Sequence, residues 1–376
     1  MKRGLIIVLF LLVFGALLIV GCHKNPANET PTDENGDPIL VDIGGQFQLT
    51  LPYFELSLDR VPIIFRGQFV SPEGKREYLE RLAVEATFYL EGKRRKYYRK
   101  KSYQRTLELR LYAGVLKEYR QDLAKNVEVS EDEIKAEYER TVNEKWRKEK
   151  PYENYREGIR RGLELKKVEE AYQQKKQELL EQWKVVLHDD LLDRLDPEKT
   201  PPDQYPKLDD LLAESQAEGI DYKYTVGQLL KRIDEAPEHA KEKLRKNKDP
   251  KKMLEFVVGE DVLFTWAVQK GFDKTATYAL RKKISEVAVL SLVTRREIVA
   301  DDIEATQQEA KQYFEAHPEI FQRGNLERTW EEAQGEAMRR ATEDKRLEAM
   351  RSLAKSLMRH RYPTTYYEAN IKAYLK

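Results

Sequence analysis

The sequence predicts a mainly α-helical protein made of two tandem copies of one module, each with a short pair of strands at its ends. Three observations support this prediction. The chain repeats itself, most of it carries apolar residues at helical spacing, and short alternating stretches stand at the start and end of each copy. If the module has a catalytic or ligand-binding site, the residues of that site should therefore be present in at least one of the two copies.

The repeat keeps a nearly constant register along the chain. Residues 47–123 align with residues 222–298 at an offset of 175, which pairs Leu79 with Leu254. After one extra residue the offset becomes 176, and the string SEDEIKAEYE then aligns with TQQEAKQYFE. The two copies are therefore predicted to share one order of strands and helices.

A proline-rich segment separates the two copies. Residues 196–206 (DPEKTPPDQYP) contain four prolines, which cannot continue a helix or the interior of a sheet. We therefore predict a linker at 196–206, between a first module at 41–195 and a second at 207–376.

Each copy is predicted to begin with a short strand and then a helix. The alternating residues of these strands are Phe47, Leu49 and Leu51 in the first copy and Tyr222, Tyr224 and Val226 in the second. The helices follow an N-cap and a first-turn proline, at Ser71–Pro72 and Asp249–Pro250. Apolar residues then recur at helical spacing, which predicts an apolar face wide enough to contact a partner helix.

A second helix is predicted around residues 103–115 and 280–288, and a third helix follows it in each copy. The third helices begin at Ser130 and Thr306, and each of these residues has a glutamate three positions later, Glu133 and Glu309. In this capping-box pattern, hydroxyl and carboxylate satisfy backbone N–H groups at the helix start. We interpret the four residues as structural caps rather than as catalytic groups.

A long charged helix and a short strand-prone stretch are predicted to end each copy. The helices span residues 155–184 and 330–361, and the stretches that follow are 185–187 and 364–367. Since a strand then stands at each end of a module, we predict that the two strands pair and close the module on itself.

The first 21 residues have the order of a secretory signal. Lys2 and Arg3 precede an uncharged apolar run, which is slightly shorter than the roughly 20 residues of a membrane-spanning helix. The run ends in Ile-Val-Gly-Cys, which resembles the lipobox of bacterial lipoproteins. We therefore predict removal of residues 1–21 and lipidation of Cys22, the single cysteine of the chain, which also excludes an intramolecular disulfide.

Residues 22–40 are predicted to form a flexible tether, because after the cysteine they are polar and contain three prolines. Without the leader, the chain carries 65 basic and 66 acidic residues, so no bulk charge attracts nucleic acid. No aspartate follows Cys22, which in a cell with two membranes favours the outer membrane over the inner one. The predicted location is the periplasmic face of a bacterial cell envelope.

Three strings carry a resemblance to a known family. They are KREYLERL (75–82), VEVSEDEIKAEY (127–138) and YFEAHPEIF (313–321). In their order among the predicted strands and helices, they resemble the chaperone portion of the SurA, PrsA and PpiD family of extracytoplasmic, parvulin-type foldases. The resemblance covers nearly all of residues 41–376, and it implies a helical module that binds unfolded polypeptides.

The chain departs from this family at the position of the family's enzyme. Members with isomerase activity carry a parvulin domain between the third helix and the long return helix. Here that position holds only residues 140–154 in the first copy and 316–329 in the second, whereas an independent domain needs about 50 residues or more. The resemblance therefore implies the chaperone half of the family, duplicated, without the enzyme.

No other pattern indicates catalysis or a cofactor. Gly44–Gly45 lacks the Gly-Lys-Ser/Thr sequence of a phosphate-binding loop, so nucleotide use is not predicted. The histidines are dispersed, and His188 beside Asp189 and Asp190 fits a solvated turn better than a metal site. We therefore predict no catalytic, cofactor-binding or metal-binding residue.

The sharpest local signal is the basic run KRRKYYRKK. Its cations are Lys93, Arg94, Arg95, Lys96, Arg99, Lys100 and Lys101. One interpretation is a solvated helix end, and the other is contact with lipid headgroups or acidic clients. Nucleic acid is not a predicted partner of an exported, lipid-tethered protein.

Together, these observations predict a lipid-anchored, ATP-independent holdase for unfolded exported or outer-membrane proteins. Its partners would be client polypeptides, and the membrane through the lipid on Cys22. Two alternatives stay open: a peptidyl-prolyl isomerase with a degenerate site, and a structural envelope scaffold with one fixed partner. A contiguous exposed apolar patch would favour client binding.

Overall fold

The computed structural model describes residues 30–143, 146, 151–195, 204–235, 250–298, 303–323 and 326–376. Helices make up 72% and strands 8%, which confirms the mainly helical class. The predicted leader, Cys22, and residues 196–203 of the predicted linker lie outside the described residues. Lipidation and the linker therefore stay predictions.

The first half of the chain forms three strands and six helices in the described residues. Their bounds are β1 Ile39–Ile43, β2 Phe47–Thr50, α1 Leu51–Leu58, α2 Ile63–Arg66, α3 Pro72–Arg94, α4 Lys101–Lys125, α5 Glu131–Thr141, α6 Glu153–Gln182 and β3 Val185–Leu187. Ser71 caps α3, because its hydroxyl accepts a hydrogen bond from the Gly74 N–H (3.1 Å) and Pro72 occupies the first turn.

The second half follows nearly the same order of elements. Their bounds are β4 Leu211–Ser215, β5 Lys223–Thr225, α7 Val226–Glu235, α8 Pro250–Gln269, α9 Ala276–Ile298, α10 Gln307–Ala316, β6 Gln322–Arg323, β7 Leu326–Glu327, α11 Trp330–His360, β8 Thr364–Tyr366 and α12 Glu368–Tyr374. Even the 3₁₀ turns repeat, at Tyr97–Arg99 and Phe272–Lys274. The sequence repeat thus corresponds to a repeat in the order of the elements.

The strands pair across the two halves. One antiparallel sheet has the order β2-β1-β8, with Ile43 opposite Thr364, and the other has the order β3-β4-β5, with Val186 opposite Glu214. The prediction that each copy closes on its own strands is therefore wrong: the last strand of each half joins the sheet of the other half. Alternating apolar residues indicate a strand and its buried face, but strands pair through backbone groups that any residue supplies.

The two largest cores also combine both halves. The first core joins β1, β2, α1 and α3 to Ile284 and Val287 of α9 and to Leu357 of α11. The second joins β4, β5, α7 and α8 to α4 and α6 of the first half, through residues such as Tyr119 and Tyr172. The two sets of elements are therefore interleaved, and a tandem pair of self-contained modules is not confirmed.

The crossing of α3 and α9 requires a glycine. A Cβ on Gly92 would overlap Thr294 Oγ1 and lie 2.9 Å from Leu290 Cγ. Since Leu290 is buried and Thr294 is fully buried, neither side chain has free space to move into. Gly92 therefore sets how closely these two helices approach each other.

The folded body begins before the predicted boundary at residue 41. Asp33 Oδ1 accepts hydrogen bonds from the backbone N–H groups of Asn35 and Asp37, both at 2.9 Å, which closes a turn. Ile39 is buried in β1, and the Asn370 side-chain amide of α12 donates to the Ile39 carbonyl oxygen at 2.8 Å. The described part of the predicted tether is thus held against the body, because its polar groups form hydrogen bonds within the turn and with α12.

Candidate functional site

Within the described ranges, the most exposed group of neighbouring apolar side chains lies on α2 and the turn after it. Ile64 is 79% exposed, Phe65 48% and Val70 70%, and we call these three residues the α2 patch. Pro62 precedes the segment and Ser71 caps the helix that follows, so the segment forms a short connection between α1 and α3. Three large apolar side chains are therefore presented to solvent within seven residues of chain.

A cleft of about 750 Å³ adjoins the α2 patch, and we call it the apolar cleft. Its apolar wall consists of Val61, Pro62, Phe65, Phe69, Tyr78, Leu82 and Val84. Arg295 of α9 and Arg351 of α11 also line the cleft, so the second half of the chain contributes to it. The first half therefore supplies most of the cleft, and the second half adds two arginines to it.

The wall of the apolar cleft is held in place by close packing. The rings of Phe69 and Tyr78 have centroids 4.9 Å apart, and the Tyr78 hydroxyl donates to the Ser57 carbonyl oxygen at 2.8 Å. Gly74, in the first turn of α3, lies so close to the turn that a Cβ there would overlap the Gln68 carbonyl oxygen. Because packing already fixes the rings of Phe69 and Tyr78, binding of another molecule would cost little of their side-chain entropy.

Charged side chains line the remaining parts of the apolar cleft. Arg60 donates to both carboxylate oxygens of Glu85, at 3.2 and 2.9 Å, and the Arg81 guanidinium lies 5.5 Å from the Phe69 ring centroid. Burial raises the pKa of Tyr78 to about 12, so its hydroxyl stays protonated near neutral pH, and burial lowers the pKa of Arg295. The cleft thus offers an apolar surface beside fixed charges of both signs.

The basic run is organised by a buried carboxylate that the sequence analysis did not single out. Glu91 is 1% exposed and accepts hydrogen bonds from Arg94 (2.9 and 2.6 Å), Arg95 (2.6 Å) and Arg361 (3.2 Å). The Tyr362 hydroxyl donates to the same carboxylate at 3.1 Å. Burial alone would raise the pKa of Glu91, but these four donors outweigh it and hold the pKa at about 2.

The other cations of the run have separate surroundings. The Lys100 ammonium pairs with Glu297 of α9 at 2.6 Å, and the Lys93 ammonium lies 5.5 Å from the centroid of the Tyr89 ring. Arg99 stacks over Tyr98 at 5.9 Å, Lys96 has a left-handed backbone (φ 60°), and Lys101 begins α4. The seven cations therefore do not form one uniform patch.

A second cleft, of about 650 Å³, lies where the end of α3 meets the end of α11, and we call it the basic cleft. Its lining residues are Gln46, Leu90, Lys93, Arg94, Arg361 and Tyr362. Only Lys93 and Arg94 come from the basic run. Arg361 lies 270 residues from Glu91, so no local pattern in the sequence could have placed it there.

The predicted caps occupy the helix starts. Ser130 with Glu133 and Thr306 with Glu309 both form complete capping boxes at α5 and α10. The same glutamates pair with the following long helices, Glu133 with Lys167 at 2.6 Å and Glu309 with a lysine of α11 at 2.8 Å. They therefore join each short helix to its neighbour as well as cap it.

Metal chemistry has no geometric support in the described ranges, where no group of three or more His, Cys, Asp or Glu side chains is placed to hold an ion. His188 pairs instead with Glu214 of β4 at 3.3 Å. Among the helices that the structure describes, none is long and apolar enough to cross a membrane.

The α2 patch was also missed by the sequence analysis. The string IIFRGQFV (63–70) contains several large apolar residues without helical or alternating spacing, and a proline and a serine bracket it. That combination is itself a signal, because apolar residues without a period have no single face to bury.

No protein-family model, curated protein or solved structure matches this chain.

Proposed function

We propose that this protein is a lipid-anchored, ATP-independent holdase that binds unfolded exported polypeptides at the apolar cleft. One observation carries the proposal: the exposed ring of Phe65 lines a cleft whose wall is aromatic and aliphatic, and Ile64 and Val70 expose further apolar side chains within five residues of it in the chain. Exposed apolar groups of this kind mark interaction surfaces in soluble proteins. The anchor, and the outer-membrane location, rest on the predicted lipidation of Cys22.

Binding at this surface would be weak and reversible. Each apolar client side chain that becomes fully buried gains about 1.5–3 kcal/mol, and ordering the client opposes that gain. The Arg60–Glu85 pair and Arg81 keep charge beside the apolar wall, which favours clients whose apolar residues alternate with charged or polar ones. Such a holdase works by mass action, because it lowers the concentration of free unfolded chain and so its aggregation.

The proposal is tested by light scattering of an unfolded client in the presence of residues 23–376, which include every described element. We expect stoichiometric amounts to slow aggregation, and the double variant Ile64→Ser/Phe65→Ser to lose most of this effect. The matched control is Leu165→Ser/Leu347→Ser, which alters side chains of comparable exposure (69% and 45%) on the long helices α6 and α11. Equal protection by both double variants would reject the apolar cleft as the binding site.

The alternatives give different results in two further assays. Appreciable turnover in a protease-coupled proline-isomerisation assay would support an isomerase and contradict a holdase without enzymatic activity. A pull-down from envelope extracts that yields one stoichiometric partner would support a scaffold, whereas a broad set of unfolded proteins supports the holdase.

A further inference from the structure

We propose that the basic cleft binds a phosphate-bearing anion. This proposal is independent of the holdase function, since it rests on different residues at the junction of α3 and α11. The cleft of about 650 Å³ places the cations Lys93, Arg94 and Arg361 beside Leu90, Gln46 and the Tyr362 hydroxyl. These cations come from two segments, the end of α3 and the residue that follows α11. The fold therefore brings together positive charges that are distant in sequence.

The charge at the basic cleft is unbalanced. Glu91 is the single carboxylate, among the described residues, that hydrogen-bonds to Arg94, Arg95 and Arg361. The lining cations Lys93, Arg94 and Arg361 and the carboxylate of Glu91 give a net charge of +2, and Arg95, which bonds to Glu91 but does not line the cleft, adds to it. A phosphate group, which carries one negative charge as a diester and nearly two as a monoester, is the natural complement of such a cluster.

The cluster also has the right depth and donors. Glu91 is 1% exposed, whereas Arg94 and Arg361 are 49% and 48% exposed, so the carboxylate lies beneath cations that reach solvent. Glu91 accepts hydrogen bonds from Nε and Nη2 of Arg94 and from Nη1 of Arg361, so Arg94 Nη1 and Arg361 Nε and Nη2 are not used by this carboxylate. Planar guanidinium groups with remaining N–H donors suit phosphate oxygens.

Glu91 prepares this site before any ligand arrives. A surface arginine normally loses side-chain entropy when it binds an anion, but Arg94 and Arg361 are already restrained by their bonds to Glu91. The volume of the cleft exceeds that of a phosphate group, so an alcohol esterified to it would also fit, against Leu90 and Gln46. Phospholipid headgroups and free phosphate share this chemistry.

The test uses residues 23–376, which lack the lipid anchor and therefore reveal any second membrane contact. Calorimetric titration with inorganic phosphate and with glycerol 3-phosphate, at low ionic strength, measures binding of the anion alone. Co-sedimentation with phosphatidylglycerol vesicles measures binding to the headgroup in a bilayer. The variants are Lys93→Glu and Gln46→Glu in the cleft, with Lys270→Glu as an exposed control of the same charge change as Lys93→Glu.

We expect Lys93→Glu to weaken binding roughly tenfold, because two units of charge change within the cleft. Gln46→Glu should weaken it severalfold without altering any arginine, and Lys270→Glu should stay close to the unaltered chain. If the two cleft variants lose vesicle binding, and glycerol 3-phosphate competes with vesicles for the unaltered chain, the cleft binds lipid headgroups. If the cleft variants lose only the binding of phosphate, the cleft binds a free anion. The proposal is overturned if the unaltered chain binds neither probe, or if both cleft variants bind as tightly as Lys270→Glu.

Discussion

Replacing Glu91 with glutamine should destabilise the protein strongly at neutral pH. The change keeps the shape of the side chain but removes the charge that Arg94, Arg95 and Arg361 share, and it turns an amide N–H₂ group toward their donors. Breaking a buried ion pair by removing one partner costs about 3–5 kcal/mol, because the remaining charges stay uncompensated. Since these arginines are partly exposed, we expect the lower part of that range.

The pKa of Glu91 gives an independent magnitude. A carboxyl whose pKa falls from 4.5 to about 2 on folding contributes about 3 kcal/mol of stability at neutral pH, at about 1.4 kcal/mol per unit. Because the folded pKa is the lower one, this contribution is fully present above pH 4.5 and is lost as the pH falls through 2. The difference between the original chain and Glu91→Gln should therefore shrink to less than half at pH 3.

Urea unfolding of both proteins at pH 7, 5 and 3 measures this difference. The matched control is Glu77→Gln on the same helix, where the carboxylate pairs with Arg81 at 2.6 Å but both side chains are about 60% exposed. An exposed pair contributes at most about 1 kcal/mol. The reasoning is refuted if Glu91→Gln and Glu77→Gln unfold at the same urea concentration at pH 7, or if the effect of Glu91→Gln does not depend on pH.

Three further predictions concern packing, strand exchange and the anchor. Gly92→Ala should destabilise the chain by about 1–3 kcal/mol through overpacking where α3 crosses α9. Gly162→Ala, which has open space in α6, should stabilise the chain by up to about 1 kcal/mol. Thermal unfolding measures both changes, and equal shifts in the unfolding temperature would contradict close packing at the crossing. Cysteines introduced by Asp42→Cys and Thr365→Cys, which are opposite each other in β1 and β8, should form a disulfide that mass spectrometry detects, and failure under oxidising conditions would argue against the exchanged sheet. Cys22→Ser should abolish incorporation of radiolabelled palmitate and release the protein from membranes, and unchanged labelling would reject the predicted anchor.

Local patterns in the sequence predicted most of the helices. The capping boxes at Ser130 and Thr306 and the proline after Ser71 specify helix starts through contacts within three or four residues, so no knowledge of the fold is needed. The internal repeat then predicted the same order of elements in both halves. These features could be predicted because their physical causes are local.

The partners of the elements could not be predicted in the same way. Whether β3 joins β1 or β4 depends on backbone pairing and on the path of the chain after α6, and residue types specify neither. For the same reason the exchange of strands between the halves, and the mixed composition of both cores, became visible only in the structure.

The candidate sites were predicted only in part. The basic run was evident as charge, but its organisation depends on the buried Glu91 and on Arg361, which is distant in sequence. The α2 patch had a signal in its aperiodic apolar string, yet the cleft that Phe65 lines also contains Arg295 and Arg351, which are distant in sequence. Whether a basic run is a solvated helix end or part of a site depends on which residues are buried and which distant residues contact it, and composition specifies neither.

Photo-cross-linking from the α2 patch is the most direct test of the proposed function. A benzophenone side chain in place of Phe65 would sample the margin of the apolar cleft, and the same group in place of Leu165 would sample an exposed apolar position on α6. With an unfolded client present, we predict cross-links to the client from position 65, few from position 165, and a decrease as the client folds. Equal yields at the two positions, or no client cross-link from position 65, would contradict a holdase that binds at this cleft.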